Sequence, residues 1–107
     1  MLFACPYLGG DVELTSERER HIRERHPNLL PSNLALVEET LKDPDAVRIS
    51  ARSKAARPFT RWYSGVGGGS YAVVVVVSDD TAPIRHWIIT AYLTTRLTAM
   101  ETEWARP

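Results

Sequence analysis

The sequence predicts an α+β domain in which two N-terminal helices precede an antiparallel sheet of about four strands. Two segments with helical spacing, 17–26 and 34–41, occupy the first half of the chain. Segments rich in β-branched and aromatic residues follow, separated by short runs of Gly, Pro, Asp and Ser. Strands joined by such short turns pair antiparallel as a rule, so these segments are expected to form one sheet.

The first helix is predicted to begin beside Ser16, because Ser16 and Glu19 have the spacing of a capping box. It is expected to end near His26, since the following Pro27 stops a helix. A short extended segment, 11–14, leads into it.

The second predicted helix opens in the segment 31–33 and ends at 43–45, where Asp-Pro-Asp breaks the pattern. Its apolar residues recur with helical period: Leu34, Val37 and Leu41. The tail, 95–104, is predicted to form a further short helix.

The four predicted strands are 46–51, 58–64, 71–78 and 85–94. The run Val73–Val77 has no alternation, which is typical of a central strand covered on both faces. The glycine-rich segment 65–69 is predicted to be a hairpin turn, because glycine readily adopts positive φ.

Alternation along the last strand separates a polar face from an apolar face. The expected core face carries Trp87, Ile89, Ala91 and Leu93. The expected polar face carries His86, Thr90, Tyr92 and Thr94. In the second strand Arg61 and Tyr63 share a side, and Trp62 on the other side is predicted, like Trp87, to pack in the core.

The composition indicates a single domain, 1–107, with ordinary hydrophobic content and zero formal net charge. Zero net charge argues against non-specific coating of nucleic acid. The segment 46–78 nevertheless contains five basic residues and no acidic one, which suits either a local anion-binding surface or a solvated loop. Cys5 is the only cysteine, so no intrachain disulfide can form. With no signal peptide and no membrane-spanning run evident, this pattern predicts a cytoplasmic protein without a membrane partner.

The first helix carries the most informative histidines. Arg18, His21 and Arg25 fall on one face, and His26 lies at the helix end, where the dipole favours imidazolium. His26 could therefore exchange a proton near neutral pH, or it could only compensate the dipole. His21 and His26 are five residues apart, a spacing that does not fit a zinc-binding pair. The sequence thus predicts no metal and no cofactor.

Several short motifs together resemble the phage-barnase/EndoU/colicin/RelE-like ribonuclease superfamily. They are His21-Ile22, Arg25-His26-Pro27, Leu41-x-x-Pro44-Asp45-x-Val47, Arg61-x-Tyr63, the Val-rich strand and Ile89-Thr90-Ala91-Tyr92. The resemblance implies a barnase/RelE-like fold and catalytic roles for these residues: His26, His21, Arg61, Thr90 and Tyr92. Its toxin members imply a cognate antitoxin or immunity protein as a possible partner.

The expected activity is metal-independent RNA cleavage, in which the 2′-hydroxyl attacks phosphorus and leaves a 2′,3′-cyclic phosphate. His26 would act as base or acid, with His21 or His86 in the opposite role, and Arg61 would stabilise the phosphorane. The residues expected to bind substrate are Tyr63, His86, Arg25, Arg52, Lys54 and Arg57. The alternative is a non-catalytic interaction module of a toxin–immunity or phage system.

Overall fold

Seven short extended segments form one sheet across the whole molecule. The computed structural model describes residues 1–107. In chain order the elements are β1 (Leu2–Cys5), a 3-10 turn (Pro6–Leu8), β2 (Gly10–Glu13), α1 (Ser16–Arg25), α2 (Leu34–Lys42), β3 (Ala46–Ile49), β4 (Ala56–Tyr63), β5 (Ser70–Asp79), β6 (Arg85–Thr94) and β7 (Glu101–Ala105). The strand order is β1-β2-β6-β5-β4-β3-β7. Every pair is antiparallel except β2 with β6, which meet in parallel at Glu13 and Trp87.

The predicted fold class, two N-terminal helices before an antiparallel sheet of about four strands, is wrong. The sheet is mixed and has seven strands, and β1 and β2 precede the helices. The predicted helix in 95–104 is also absent. Its last residues form β7 on the far edge of the sheet, where the chain pairs with β3 and Trp104 packs beside Tyr7. These partners lie far away in sequence, so local pattern could not reveal them.

Local signals did predict the two helices and the central strand. α1 stops before Pro27 and α2 stops before Asp43. The start of α1 differs by one residue, because Thr15, not Ser16, caps it: Thr15 Oγ1 accepts a hydrogen bond from the backbone N–H of Arg18 at 3.2 Å. β5 is the middle strand of the sheet, as the valine run predicted.

Most of the hydrophobic core lies between one face of the sheet and the two helices. α1 contributes Ile22, α2 contributes Val37 and Leu41, and the linker between them contributes Leu29 and Leu30. The sheet side of the core is formed by Val47, Phe59, Val74, Val76, Ile88 and Ala91, with Phe3, Cys5, Val12 and Leu14 from the first hairpin. Burying each of these large side chains contributes roughly 1.5–3 kcal/mol to folding.

Cross-strand partners define which side chains share a face, because directly paired residues point the same way. One row faces the helices: Arg61, Ala72 and Leu93. We call the other side of the sheet the open face, since no helix covers it. Its rows are Trp62–Tyr71–Thr94, Thr60–Val73–Tyr92 and Pro58–Val75–Thr90. β5 was expected to be covered on both faces, but its open face is covered only in part, since Val75 and Val77 are half-buried.

A β-bulge at Ile89 divides β6 into two parts with opposite alternation. Thr90 pairs with Val75, whereas Ile88 pairs with the next residue, Val76, so Ile89 is the extra residue. Ile88 enters the core in place of Ile89. The predicted polar row is consequently split: Thr90, Tyr92 and Thr94 point to the open face, while His86 pairs with Ser78 on the helix-covered face.

Candidate functional site

A cleft on the open face is the main concave feature near the predicted catalytic residues. It encloses about 580 Å³ between the sheet, the β3–β4 loop and the segment that crosses from β6 to β7. Its walls consist of Ser50, Ala51, Arg52, Ser53, Ala56, Pro58, Val75, Ile89, Thr90, Tyr92, Thr98, Ala99 and Met100. None of these is an acid, so the polar groups that it offers are hydroxyls, a phenol and a guanidinium.

His26 does not line the cleft itself but contacts Tyr92, which does. The chain leaves α1 at His26, whose backbone N–H donates to the Ile22 carbonyl at 2.7 Å. Its ring lies 5.7 Å from the Tyr92 ring, centroid to centroid, with the planes tilted by 39°. This contact is possible because β2 pairs with β6 only at Trp87, which leaves the later part of β6 free for α1. Imidazole, phenol and the Thr90 hydroxyl therefore gather at one margin of the cleft.

Burial shifts the pKa values of both rings in the direction that favours their neutral forms. Partial burial lowers the pKa of His26 below its ordinary value of 6.5, and the nearby charges of His21 and Arg25 lower it further. The helix dipole is expected to favour the imidazolium, but burial and these charges shift the pKa of His26 in the opposite direction. Burial also raises the pKa of Tyr92, so its phenol keeps its proton. A neutral imidazole can accept a proton, and a protonated phenol can donate a hydrogen bond to a phosphate oxygen.

The basic residues of the segment 46–78 are divided between the two faces. Arg57 pairs with Glu103 at 3.1 Å on the helix-covered side. Arg48 donates to the Thr102 hydroxyl at 3.0 Å. Arg52 lines the cleft and Lys54 lines the adjoining cavity, and neither forms an ion pair. Arg52 and Lys54 are therefore the cations of this segment that remain available to an anionic ligand.

Replacing Arg52 and Lys54 together by alanine should flatten the salt dependence of RNA binding. Each lost phosphate contact on a single strand changes the slope of log K against log salt by about 0.7, so the expected change is about 1.4. Arg57→Ala is the matched control, because it removes a cation from the other face and should leave the slope unchanged. A titration with equal slopes for the double variant and the wild type would remove this loop from the binding surface.

Arg61 and Tyr63 lie on the helix-covered face and are bound to α2 and the residues after it. Arg61 Nη1 donates to the Asp43 carbonyl at 2.6 Å, and its guanidinium pairs with Glu39 at 3.3 Å and with the Asp43 carboxylate at 3.1 Å. Burial opposes the charge of Arg61, but these carboxylates outweigh it and the pKa is raised. The Tyr63 hydroxyl lies 3.5 Å from the Thr40 hydroxyl, and burial raises its pKa to about 12.

The predicted arrangement in which His26 and Arg61 face one phosphate is not formed. Arg61 aligns with Leu93, whereas Tyr92, which His26 contacts, points to the opposite face. His86 is likewise separate, with its Nδ1 hydrogen-bonded to the Ser78 hydroxyl at 2.6 Å. Of the predicted site residues, Thr90, Tyr92 and Arg52 line the cleft, Lys54 lines the adjoining cavity, and His26 contacts Tyr92. Arg25 lines neither cavity. His21 lies on α1 five residues before His26, which is about 1.4 helical turns.

Arg61→Ala should lower the free energy of unfolding, with little effect on RNA cleavage at the cleft. Loss of its partly exposed ion pairs and of the hydrogen bond to Asp43 should cost about 1–2 kcal/mol in the free energy of unfolding, measured by urea titration. Arg61→Lys keeps the charge and should recover part of this loss. A folded Arg61→Ala protein that cleaves RNA as poorly as a His26 variant would return Arg61 to the active site.

Sequence reasoning missed one wall of the cleft and one exposed aromatic. The wall is the crossing segment 98–100, where the sequence predicts a helix. The aromatic is Trp62, which was predicted to be in the core but is 43% exposed on the open face. The one local signal is Gly69, because the absence of a Cβ lets an aromatic ring pack directly on its backbone, as Trp62 does.

No group of three or more His, Cys, Asp or Glu side chains is arranged to hold a metal ion. Neither helix is long and apolar enough to cross a membrane. No protein-family model, no curated protein and no solved structure matches this chain.

Proposed function

We propose that the chain is a metal-independent endoribonuclease whose active site is the margin of the open-face cleft. The observation that carries the proposal is the contact of the neutral His26 ring with Tyr92, beside Thr90, in a cleft that also holds the unpaired Arg52. These groups supply a proton acceptor, hydrogen-bond donors and one positive charge. Such a set suits a phosphodiester better than a neutral substrate, because each group addresses either a hydroxyl proton or a phosphate oxygen.

In the proposed reaction, the RNA 2′-oxygen forms a bond to the adjacent phosphorus as the bond to the 5′-oxygen breaks. His26 accepts the proton of the 2′-hydroxyl, and the departing 5′-oxygen takes a proton from a second acid, for which His21 is the candidate on the same helix. Arg52, which replaces Arg61 in this role, and the Tyr92 phenol interact with the charge on the phosphorane oxygens. Thr90 positions the phosphate.

The Ile89 bulge supports this assignment. Bulges commonly redirect side chains beside active sites, and this one brings Thr90 and Tyr92 to the cleft while Ile88 remains in the core. The buried free thiol of Cys5 fits a reducing compartment, so we place the proposed enzyme in the cytoplasm. A cognate antitoxin or immunity protein that covers the open face would be the corresponding inhibitor.

The test is incubation of the purified protein with a single-stranded RNA of mixed sequence, with His26→Ala as the matched control. Fragments with 2′,3′-cyclic phosphate ends from the wild type, and far fewer from the variant, are expected. Intact RNA after incubation with folded wild-type protein would contradict the proposal and favour the interaction module.

A further inference from the structure

An exposed tryptophan and a half-buried tyrosine form an aromatic pair on the open face beside the cleft. Trp62 and Tyr71 are direct cross-strand partners on β4 and β5. Their ring centroids are 4.8 Å apart, with the planes at 63°, an edge-to-face contact. Trp62 has a large apolar side chain, and it is 43% exposed. Together the indole and the Tyr71 ring form one contiguous aromatic surface, the kind of feature that marks a binding site.

The Trp62 ring is held in place by the hairpin beneath it. A Cβ atom on Gly69 would lie 2.7 Å from two carbons of the indole, so the ring rests directly on the glycine backbone. Gly69 also has φ +114°, a conformation that favours glycine. On the other side, the backbone N–H of Trp62 donates to the Asp45 carboxylate at 2.7 Å. The exposed ring is therefore fixed before any ligand arrives, which lowers the entropy cost of binding.

The pair lies on the same face of the sheet as the proposed catalytic residue Tyr92, in the next cross-strand row. Trp62 and Tyr71 share a row with Thr94, and Tyr92 lies two residues before Thr94 on the same face of β6. Two residues along a strand span about 7 Å, and neighbouring strands lie about 4.8 Å apart. The backbones of Tyr71 and Trp62 are therefore about 8 Å and about 12 Å from that of Tyr92, a span of one to two nucleotides of an extended chain. A strand of RNA with its phosphate at Tyr92 would thus have a neighbouring base over the pair.

The surrounding charges suit an RNA ligand. Arg96 lies two residues after Thr94, its backbone N–H donates to the Thr94 hydroxyl at 3.3 Å, and the residue is exposed. The nearest carboxylate, Asp45, is already engaged by the Trp62 amide and by Arg106, at 3.4 Å. An aromatic surface beside a free cation is the combination that single-stranded nucleic acids use, because every base offers a π-face.

We propose that Trp62 and Tyr71 form a stacking platform for an unpaired nucleobase next to the scissile phosphate, and that this platform directs the protein to single-stranded RNA. The inference rests on the proposed ribonuclease function and names its substrate class. Bases in a duplex are stacked on one another and cannot lie on the platform. The platform tolerates different bases, since stacking does not read their hydrogen-bonding edges.

The experiment measures binding of a 2′-O-methyl oligonucleotide, which keeps the bases and phosphates but lacks the attacking hydroxyl. Trp62→Ala should weaken binding of the single strand by about 10- to 100-fold, the usual loss for one stacked base. Trp62→Phe should retain most of the affinity but lose the quenching of tryptophan fluorescence that the oligonucleotide causes. Trp87→Phe is the matched control and should retain both. The same sequence as a duplex should bind equally weakly to wild type and Trp62→Ala.

The outcomes separate this inference from the proposed function. Equal affinity of folded Trp62→Ala and wild type for the single strand would overturn the platform and leave the nuclease standing. Binding with Trp62-dependent quenching, but without cleavage of unmodified RNA, would support the platform and overturn the nuclease. Failure of the wild type to bind any RNA would contradict both the stacking platform and the proposal that RNA is the substrate.

Discussion

His26→Ala should reduce RNA cleavage by about 100-fold or more, the usual effect of removing a general acid or base. The fold should survive, because His26 lies at the end of α1 and outside the buried core. Its contact with Tyr92 would be lost, but Tyr92 also borders the cleft and keeps its place in β6. The measurement is the initial cleavage rate at saturating RNA, with circular dichroism to confirm folding.

The pH dependence should identify His26 as the base. Burial and neighbouring positive charges lower the pKa of His26, so the acid limb in the pH profile of kcat/KM should have its midpoint below pH 6.5. His26→Ala should lose that limb. The same shift affects stability. The folded state binds this proton less readily than the unfolded state, so stability is lost as the pH falls through 6.5 toward the folded pKa. His26→Ala should therefore be less sensitive to acid over that range.

His21→Ala is the control for this experiment. His21 lies on the same helix and does not contact the Tyr92 ring, so the acid limb should remain when it is replaced. A fully active His26→Ala protein with an unaltered profile would assign the base to His21. It would also reduce His26 to a residue that only terminates the helix.

A single 2′-deoxy substitution on the 5′ side of the scissile bond should abolish cleavage at that bond. The residues that line the cleft include no Asp, Glu or Cys, so the cleft supplies neither a carboxylate cage for Mg²⁺ nor a thiolate nucleophile. The proposed reaction takes its nucleophile from the substrate, since the 2′-hydroxyl is already adjacent to phosphorus. Cleavage of the all-ribose oligonucleotide should persist in excess EDTA.

The products and the controls make this experiment decisive. Mass spectrometry of the fragments should show 2′,3′-cyclic phosphate and 5′-hydroxyl ends. The same deoxy substitution placed two nucleotides away should leave cleavage intact, which controls for altered binding. Cutting at the substituted bond, or loss of all activity in chelator, would contradict substrate-derived attack.

The position of Arg61 shows why the candidate site could be predicted only in part. Its spacing from Tyr63 correctly places both on one face of β4, a strictly local property. The pairing of β4 with β5, and of β5 with β6, decides whether these two residues point to the same side of the sheet as Thr90 and Tyr92. A shift of one residue in either register would exchange the faces, and the sequence contains no local sign of it.

By itself the sequence determined the features that depend on neighbouring residues. Pro27 and the Asp43–Asp45 segment end the helices, and the valine run builds the central strand. The glycines before β5 supply the positive φ values of its hairpin, because nearly all other residues would be strained there.

Only the tertiary structure decided the three outer strands, the Ile89 bulge and the separation of Arg61 from Tyr92. Each of these depends on backbone hydrogen bonds to segments distant in the chain, as when β7 pairs with β3. Such pairing is stabilised by the whole sheet and not by local propensity. A bulge adds one residue and reverses the alternation beyond it, which moved His86 away from the cleft while Thr90 and Tyr92 stayed.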